Sequence, residues 1–103
     1  MTQHNPEARK ARALIAALLR DGGTVSIYDG EEFSIKQSRD EAAICAELGA
    51  TDEETIYTYF PNGAPRGWLD LVYGNAADGS ELIADYAGTE FLRGIVSEGE
   101  IVA

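Results

Sequence analysis

Carboxylates are the side chains through which this 103-residue chain could do chemistry. The stretch from Tyr28 to Glu41, YDGEEFSIKQSRDE, sets Asp29, Glu31, Glu32, Asp40 and Glu41 around the apolar Phe33 and Ile35. Such a cluster serves as a metal or acid–base site, as a charged surface for a basic partner, or as a turn followed by a helix cap. Paired carboxylates catalyse when one is desolvated and its pKa rises. The candidate pairs are Asp70 with Asp85, on adjacent strands, and Glu31 with Glu32, beside a turn, and both pairs have polar neighbours. Nucleophilic chemistry has less to draw on. The one histidine, His4, precedes the first helix, and the one cysteine, Cys45, falls on an apolar helix face. Neither has the base or orienting group that an activated nucleophile needs, and a free cysteine in such a place packs as a small hydrophobe. Zinc sites require several Cys or His ligands. The segment GNAADGS lacks the lysine of a P-loop and the dinucleotide fingerprint, and Asn75, Asp78 and Glu81 miss the EF-hand spacing. The expectation is a protein with no catalytic residue, cofactor or metal, and so not an enzyme.

The charge narrows the partners. The net charge is −10, and residues 1–20 carry Arg9, Lys10, Arg12 and Arg20 against Glu7. Residues 21–103 carry four basic side chains against 17 acidic ones. A body this acidic repels nucleic acid and anionic membranes and attracts basic protein surfaces. No apolar run reaches the roughly 18 residues that cross a bilayer. The N-terminal segment puts basic residues before apolar ones, as a leader peptide does. Arg20 and Asp21 follow directly, however, and no small-residue cleavage site closes it, so it reads as a helix of the mature protein. A lone cysteine forms no internal disulfide, and the expected location is the cytoplasm.

These residues must be positioned by elements that the pattern predicts as one domain. Asn5 and Pro6 open a helix whose Ala11, Leu14, Ile15 and Leu18 share a face, and Gly22-Gly23 stops it. TVSIY and EFSIK alternate as half-buried strands joined at Asp29-Gly30, with Val25, Ile27, Phe33 and Ile35 expected inward. Ser38 to Glu41 reads as a capping box for a helix over residues 39–48 that buries Ile44, Cys45 and Leu48. Strands follow over 55–60, 68–73 and 81–86, and a last helix over 90–96 offers Phe91, Leu92, Ile95 and Val96. The predicted fold is α+β, in the order α-β-β-α-β-β-β-α, with an antiparallel sheet of about five strands and helices on one face.

With Leu69, Leu71 and Tyr73 turned to the helices, the opposite face shows Trp68, Asp70 and Val72. Tyr57 and Tyr59 join them if Ile56, Thr58 and Phe60 point inward, and Glu81, Ile83 and Asp85 are expected there from the last strand. Trp and Tyr beside carboxylates supply amphipathic anchors with steering charge. The alternatives are a second small core or a homodimer seam.

The segments VSIYDGEEFSIKQS, ELGATDEETI and WLDLVYGNAADGSELIADY resemble small acidic proteins encoded by phages and mobile elements of proteobacteria, a class that includes anti-CRISPR proteins. The resemblance is one of size, charge and style along the chain and carries over no functional residue. It implies an inhibitor or adaptor that acts by binding. Its partner would be a protein with a basic surface, such as a Cas effector complex, and some members of the class fill nucleic-acid channels with acidic surfaces. A duplex carries about one negative charge per 1.7 Å, and alternate residues of a strand lie about 7 Å apart, so a sheet studded with carboxylates approximates phosphate spacing. The expected partner-facing residues are Asp29, Glu31, Glu32, Asp52, Glu53, Glu54 and Asp70, with Tyr57, Tyr59 and Trp68 as anchors. The alternative is a small cytoplasmic homodimer or adaptor built on the same sheet face.

Overall fold

The computed structural model describes residues 6–49, 51–74 and 82–97. Helix α1 (Pro6–Leu19) leads into strands β1 (Thr24–Tyr28) and β2 (Phe33–Ser38), then helix α2 (Glu41–Glu47). Strands β3 (Glu53–Tyr59), β4 (Pro65–Val72) and β5 (Ile83–Gly88) and helix α3 (Glu90–Ser97) complete the order. All strand pairs are antiparallel, in the order β2-β1-β3-β4-β5. The α+β architecture and element order expected from the sequence are therefore present.

Register explains which residues face the helices. Ile27, Ile56, Leu69 and Tyr86 lie in one cross-strand row, and Val25, Thr58 and Gly67 in another. Ala11, Leu14, Ile15 and Leu18 of α1 pack with Ile44 of α2 and Leu92 and Ile95 of α3 into the same core as Ile27, Ile56, Leu69 and Leu71. Side chains alternate across a strand, so the intervening rows form a second face turned away from the helices.

Both edge strands depart from simple alternation. Tyr28 pairs with Phe33 and Ile27 with Ile35, so Ser34 is an extra residue in β2. Ile35 accordingly reaches the core, whereas Phe33 joins Tyr28 on the far face and stays 40% exposed. The inward placement expected for Phe33 is corrected by this bulge. A second irregularity follows before the Val25–Ser38 pair, where Gln37 takes a φ of 42° and its N–H donates to Ser26 Oγ at 2.8 Å. In β5, Asp70 faces Asp85 while Leu71 faces Ile83, so Ala84 is the extra residue. Ile83 therefore turns to the core side, not to the open face as alternation predicted. Bulges on edge strands twist them away from edge-to-edge pairing.

Two local details differ from the sequence reading. The cap of α2 is Asp40, whose carboxylate accepts from the Ala43 N–H at 3.2 Å, while Ser38 Oγ accepts from the Asp40 N–H. Because β2 runs through Ser38, the helix can begin only at Glu41, and the capping role passes to the residue just before it. The β1–β2 turn spans four residues, closed by the Asp29 N–H to the Glu32 carbonyl at 3.0 Å, with Gly30 at a φ of 104° that favours glycine. The expected cap Asn5, His4, and Asn75, Asp78 and Glu81 lie outside the described residues. No helix among the described residues is long and apolar enough to cross a membrane.

Candidate functional site: the open face of the sheet

The open face is built in rows. Tyr28, Thr55, Asp70 and Asp85 occupy one row, with Phe33 beside Tyr28. Ser26, Tyr57, Trp68 and Ala87 form the next, and Thr24, Tyr59 and Pro65 the one after. Phe33 bridges two rows, with its ring 5.0 Å from that of Tyr28 and 6.0 Å from that of Tyr57. Tilted pairs at such distances are favourable ring geometry. Tyr28, Tyr57, Tyr59 and Trp68 are each half-buried and keep an accessible side.

Acids gather at one end of this face. The β1–β2 turn carries Asp29, Glu31 and Glu32, and Asp52 and Glu53 lead into β3 at the same end. Asp29, Gly30 and Glu53 line a hollow there of about 260 Å³ with Tyr28 and Thr55. Glu31, Glu32, Asp52 and Glu53 are exposed. Asp29 has a local duty, since its Oδ1 accepts from the N–H groups of Glu31 at 2.8 Å and Glu32 at 2.9 Å. Those two donors hold its pKa below the usual carboxylate value, the Glu32 bond contributing most. Asp70 is half-buried and accepts from Thr55 Oγ1 at 2.7 Å. It lies directly opposite Asp85, whose Oδ1 accepts from the Tyr86 N–H.

Nine of the ten expected partner-facing residues thus lie on the open face or at its acidic end. The tenth does not. Glu54 is 1% exposed and sits on the helix side of β3, between Glu53 and Thr55, because strand alternation turns every second side chain inward. Its Oε1 accepts from the Tyr73 hydroxyl at 2.8 Å and from the Gly49 N–H at 3.2 Å. It fastens the end of α2 and the end of β4 to the sheet and presents nothing to a partner. Burial and the adjacent Glu54 carboxylate, in that order, push the Tyr73 pKa well up. The folded state therefore favours the neutral phenol, and this contribution to stability is intact below the ordinary tyrosine pKa and declines as pH rises beyond it. Phenolate absorbance of folded Tyr73→Phe and parent protein should superimpose through the alkaline range. A parent excess of one tyrosine before unfolding would show that the Tyr73 hydroxyl ionises in the folded protein and contradict this reading.

The helix side has a cleft of about 390 Å³ lined by Glu7, Arg12, Cys45, Leu48 and Tyr73, among others. Burial, then the neighbouring Glu41 carboxylate, raises the Cys45 pKa, opposed by Arg12, so the thiol is not activated. Among the described residues, no group of three or more His, Cys, Asp or Glu could hold a metal ion.

Sequence reasoning missed Tyr28 and Phe33 as members of the aromatic face. A four-residue turn over 29–32 would have paired Tyr28 with Phe33 and put both on one side. It also missed Arg66, which is fully buried. A bulge between the Thr58–Gly67 and Tyr59–Pro65 pairs turns Arg66 under the sheet. Compared with known protein families, curated proteins and solved structures, the chain matches none.

Proposed function

We propose that the chain is a non-catalytic binding protein that docks a basic protein surface on the open face of its sheet. In its sharpest form it is a phage- or mobile-element-type inhibitor that occupies the basic channel of a nucleic-acid-handling complex such as a Cas effector. One observation carries the reading: Tyr28, Phe33, Tyr57, Tyr59 and Trp68 form an accessible aromatic platform, bordered at one end by Asp29, Glu31, Glu32, Asp52 and Glu53. Aromatic anchors provide contact area at small entropic cost, and the carboxylates steer a cationic partner onto them.

The test is inhibition of DNA binding by purified Cas effector complexes. The combined change Glu31→Lys and Glu32→Lys, which leaves the turn-fastening Asp29 in place, should weaken inhibition at least about tenfold, and raising salt should weaken the parent in the same direction. Inhibition that survives both treatments would remove the acidic surface from the account.

A further inference from the structure

Asp70 and Asp85 stand directly opposite each other on the open face. Like charges in that relation cost stability in an antiparallel pair. One row away, Tyr57 and Trp68 stand directly opposite each other across β3 and β4. Between these rows Thr55, Tyr57, Trp68 and Asp70 line an open hollow of about 230 Å³, and two of these residues, Thr55 and Asp70, are hydrogen-bonded to each other. That bond uses the Thr55 hydroxyl proton and orients the carboxylate while leaving it acceptor capacity.

We propose that this hollow is a receptor for an arginine side chain of the protein partner. The inference rests on the open face being the docking surface and specifies what that surface reads. A guanidinium is a flat cation that stacks on aromatic rings and pairs with a carboxylate through two parallel N–H donors. Tyr57 and Trp68 supply the rings, Asp70 the carboxylate, and Asp85, directly across the strand pair, a second negative charge. Lysine would satisfy the charge but neither the stacking nor the paired bonds. The hollow therefore discriminates between two cations that the acidic end of the sheet attracts equally.

The experiment uses the isotopically labelled chain and two capped peptides, Gly-Arg-Gly-Arg-Gly and its lysine counterpart, followed by nuclear magnetic resonance. The arginine peptide should shift the Thr55, Tyr57 and Asp70 amides and the Trp68 indole saturably, and bind at least about fivefold tighter than the lysine peptide. Asp70→Asn, conservative enough to keep the fold, should abolish that preference, and Trp68→Leu should reduce it. Glu31→Gln with Glu32→Gln should weaken both peptides alike. Equal binding of the two peptides, with shifts confined to residues 29–32 and 52–53, would overturn the arginine receptor and leave the acidic docking face standing. Absence of binding by either peptide at low salt would overturn both. Shifts around Trp68 that depend on protein concentration without peptide would assign the hollow to a second copy of the chain, and so contradict the proposal.

Discussion

Replacing Arg66 by alanine should lower the stability of the fold by about 3 kcal/mol, the largest loss expected from any single polar side chain. The residue is 1% exposed, and its guanidinium ties three elements together. Nη2 donates to the Leu18 carbonyl near the C-terminus of α1 at 2.8 Å, and Nη1 pairs with Asp21 at 2.8 Å. The same group lies 4.1 Å from the Phe91 ring centre on α3 and 5.4 Å from that of Phe60. A cation at a helix C-terminus also complements the helix dipole. The ion pair itself is the smaller part, since the Asp21 side chain is 40% exposed and screened by water. Asp21→Asn should therefore cost under about 1 kcal/mol, whereas Arg66→Ala should lower the melting temperature by roughly 10–20 °C. Arg66→Lys should recover less than half of the loss, because an ammonium can neither reach both acceptors nor stack. Equal losses for Asp21→Asn and Arg66→Ala would show the ion pair, not the carbonyl and the rings, to be the main element.

Gly67→Ala should be about as damaging, at roughly 3 kcal/mol from overpacking and backbone strain combined. Gly67 has a φ of 138°, and a Cβ built there would stand 2.6 Å from the Ala87 carbonyl oxygen and 2.8 Å from Gly88 Cα. It would also meet Leu92 Cδ2 of α3 at 2.8 Å, the same atom that stands against Gly88 across the strand pair. Two of these three contacts are backbone, so trimming the leucine should not help. Gly67→Ala combined with Leu92→Ala should be less stable than either single variant in thermal unfolding. Recovery in the double variant would mean that side-chain crowding alone sets the requirement for glycine.

The regular parts of this fold were legible because they obey one period at a time. The stripe Ala11, Leu14, Ile15 and Leu18 and the alternation in TVSIY each bury the predicted side. Trp68, Tyr57 and Tyr59 fall on the open face because β3 alternates without interruption from Glu53 to Tyr59, and β4 from Gly67 to Val72. Where a strand carries an extra residue the period breaks, and local sequence does not announce it. Ser34 and Ala84 are ordinary residues whose only distinction is that their neighbours pair around them. Phe33 and Ile83 were misplaced for that reason. Glu54 was misread for a different one. A run of three acids, Asp52 to Glu54, looks like a solvated surface, yet strand alternation must turn one of Glu53 and Glu54 inward. It is Glu54 that finds the Tyr73 hydroxyl and the Gly49 N–H to make burial tolerable. Arg66 was invisible because its partners, Leu18, Asp21, Phe60 and Phe91, converge only through the tertiary fold.

The opening cluster of carboxylates resolves accordingly. Asp29 fastens the hairpin turn and Asp40 caps α2, so both have structural employment. Glu31 and Glu32 are exposed and required by neither feature, and they stand beside the aromatic platform.

Hydroxyl-radical footprinting of the chain mixed with a Cas effector complex, the partner proposed above, is the most direct measurement of the central claim. Aromatic side chains and thiols are the reactive reporters, and the two sides of the molecule carry separate sets. Binding through the open face should slow oxidation of Phe33, Tyr57, Tyr59 and Trp68 while Cys45 and Tyr73, which line the helix-side cleft, keep their free-state rates. Protection of Cys45 and Tyr73, with Phe33, Tyr57, Tyr59 and Trp68 unchanged, would contradict the account.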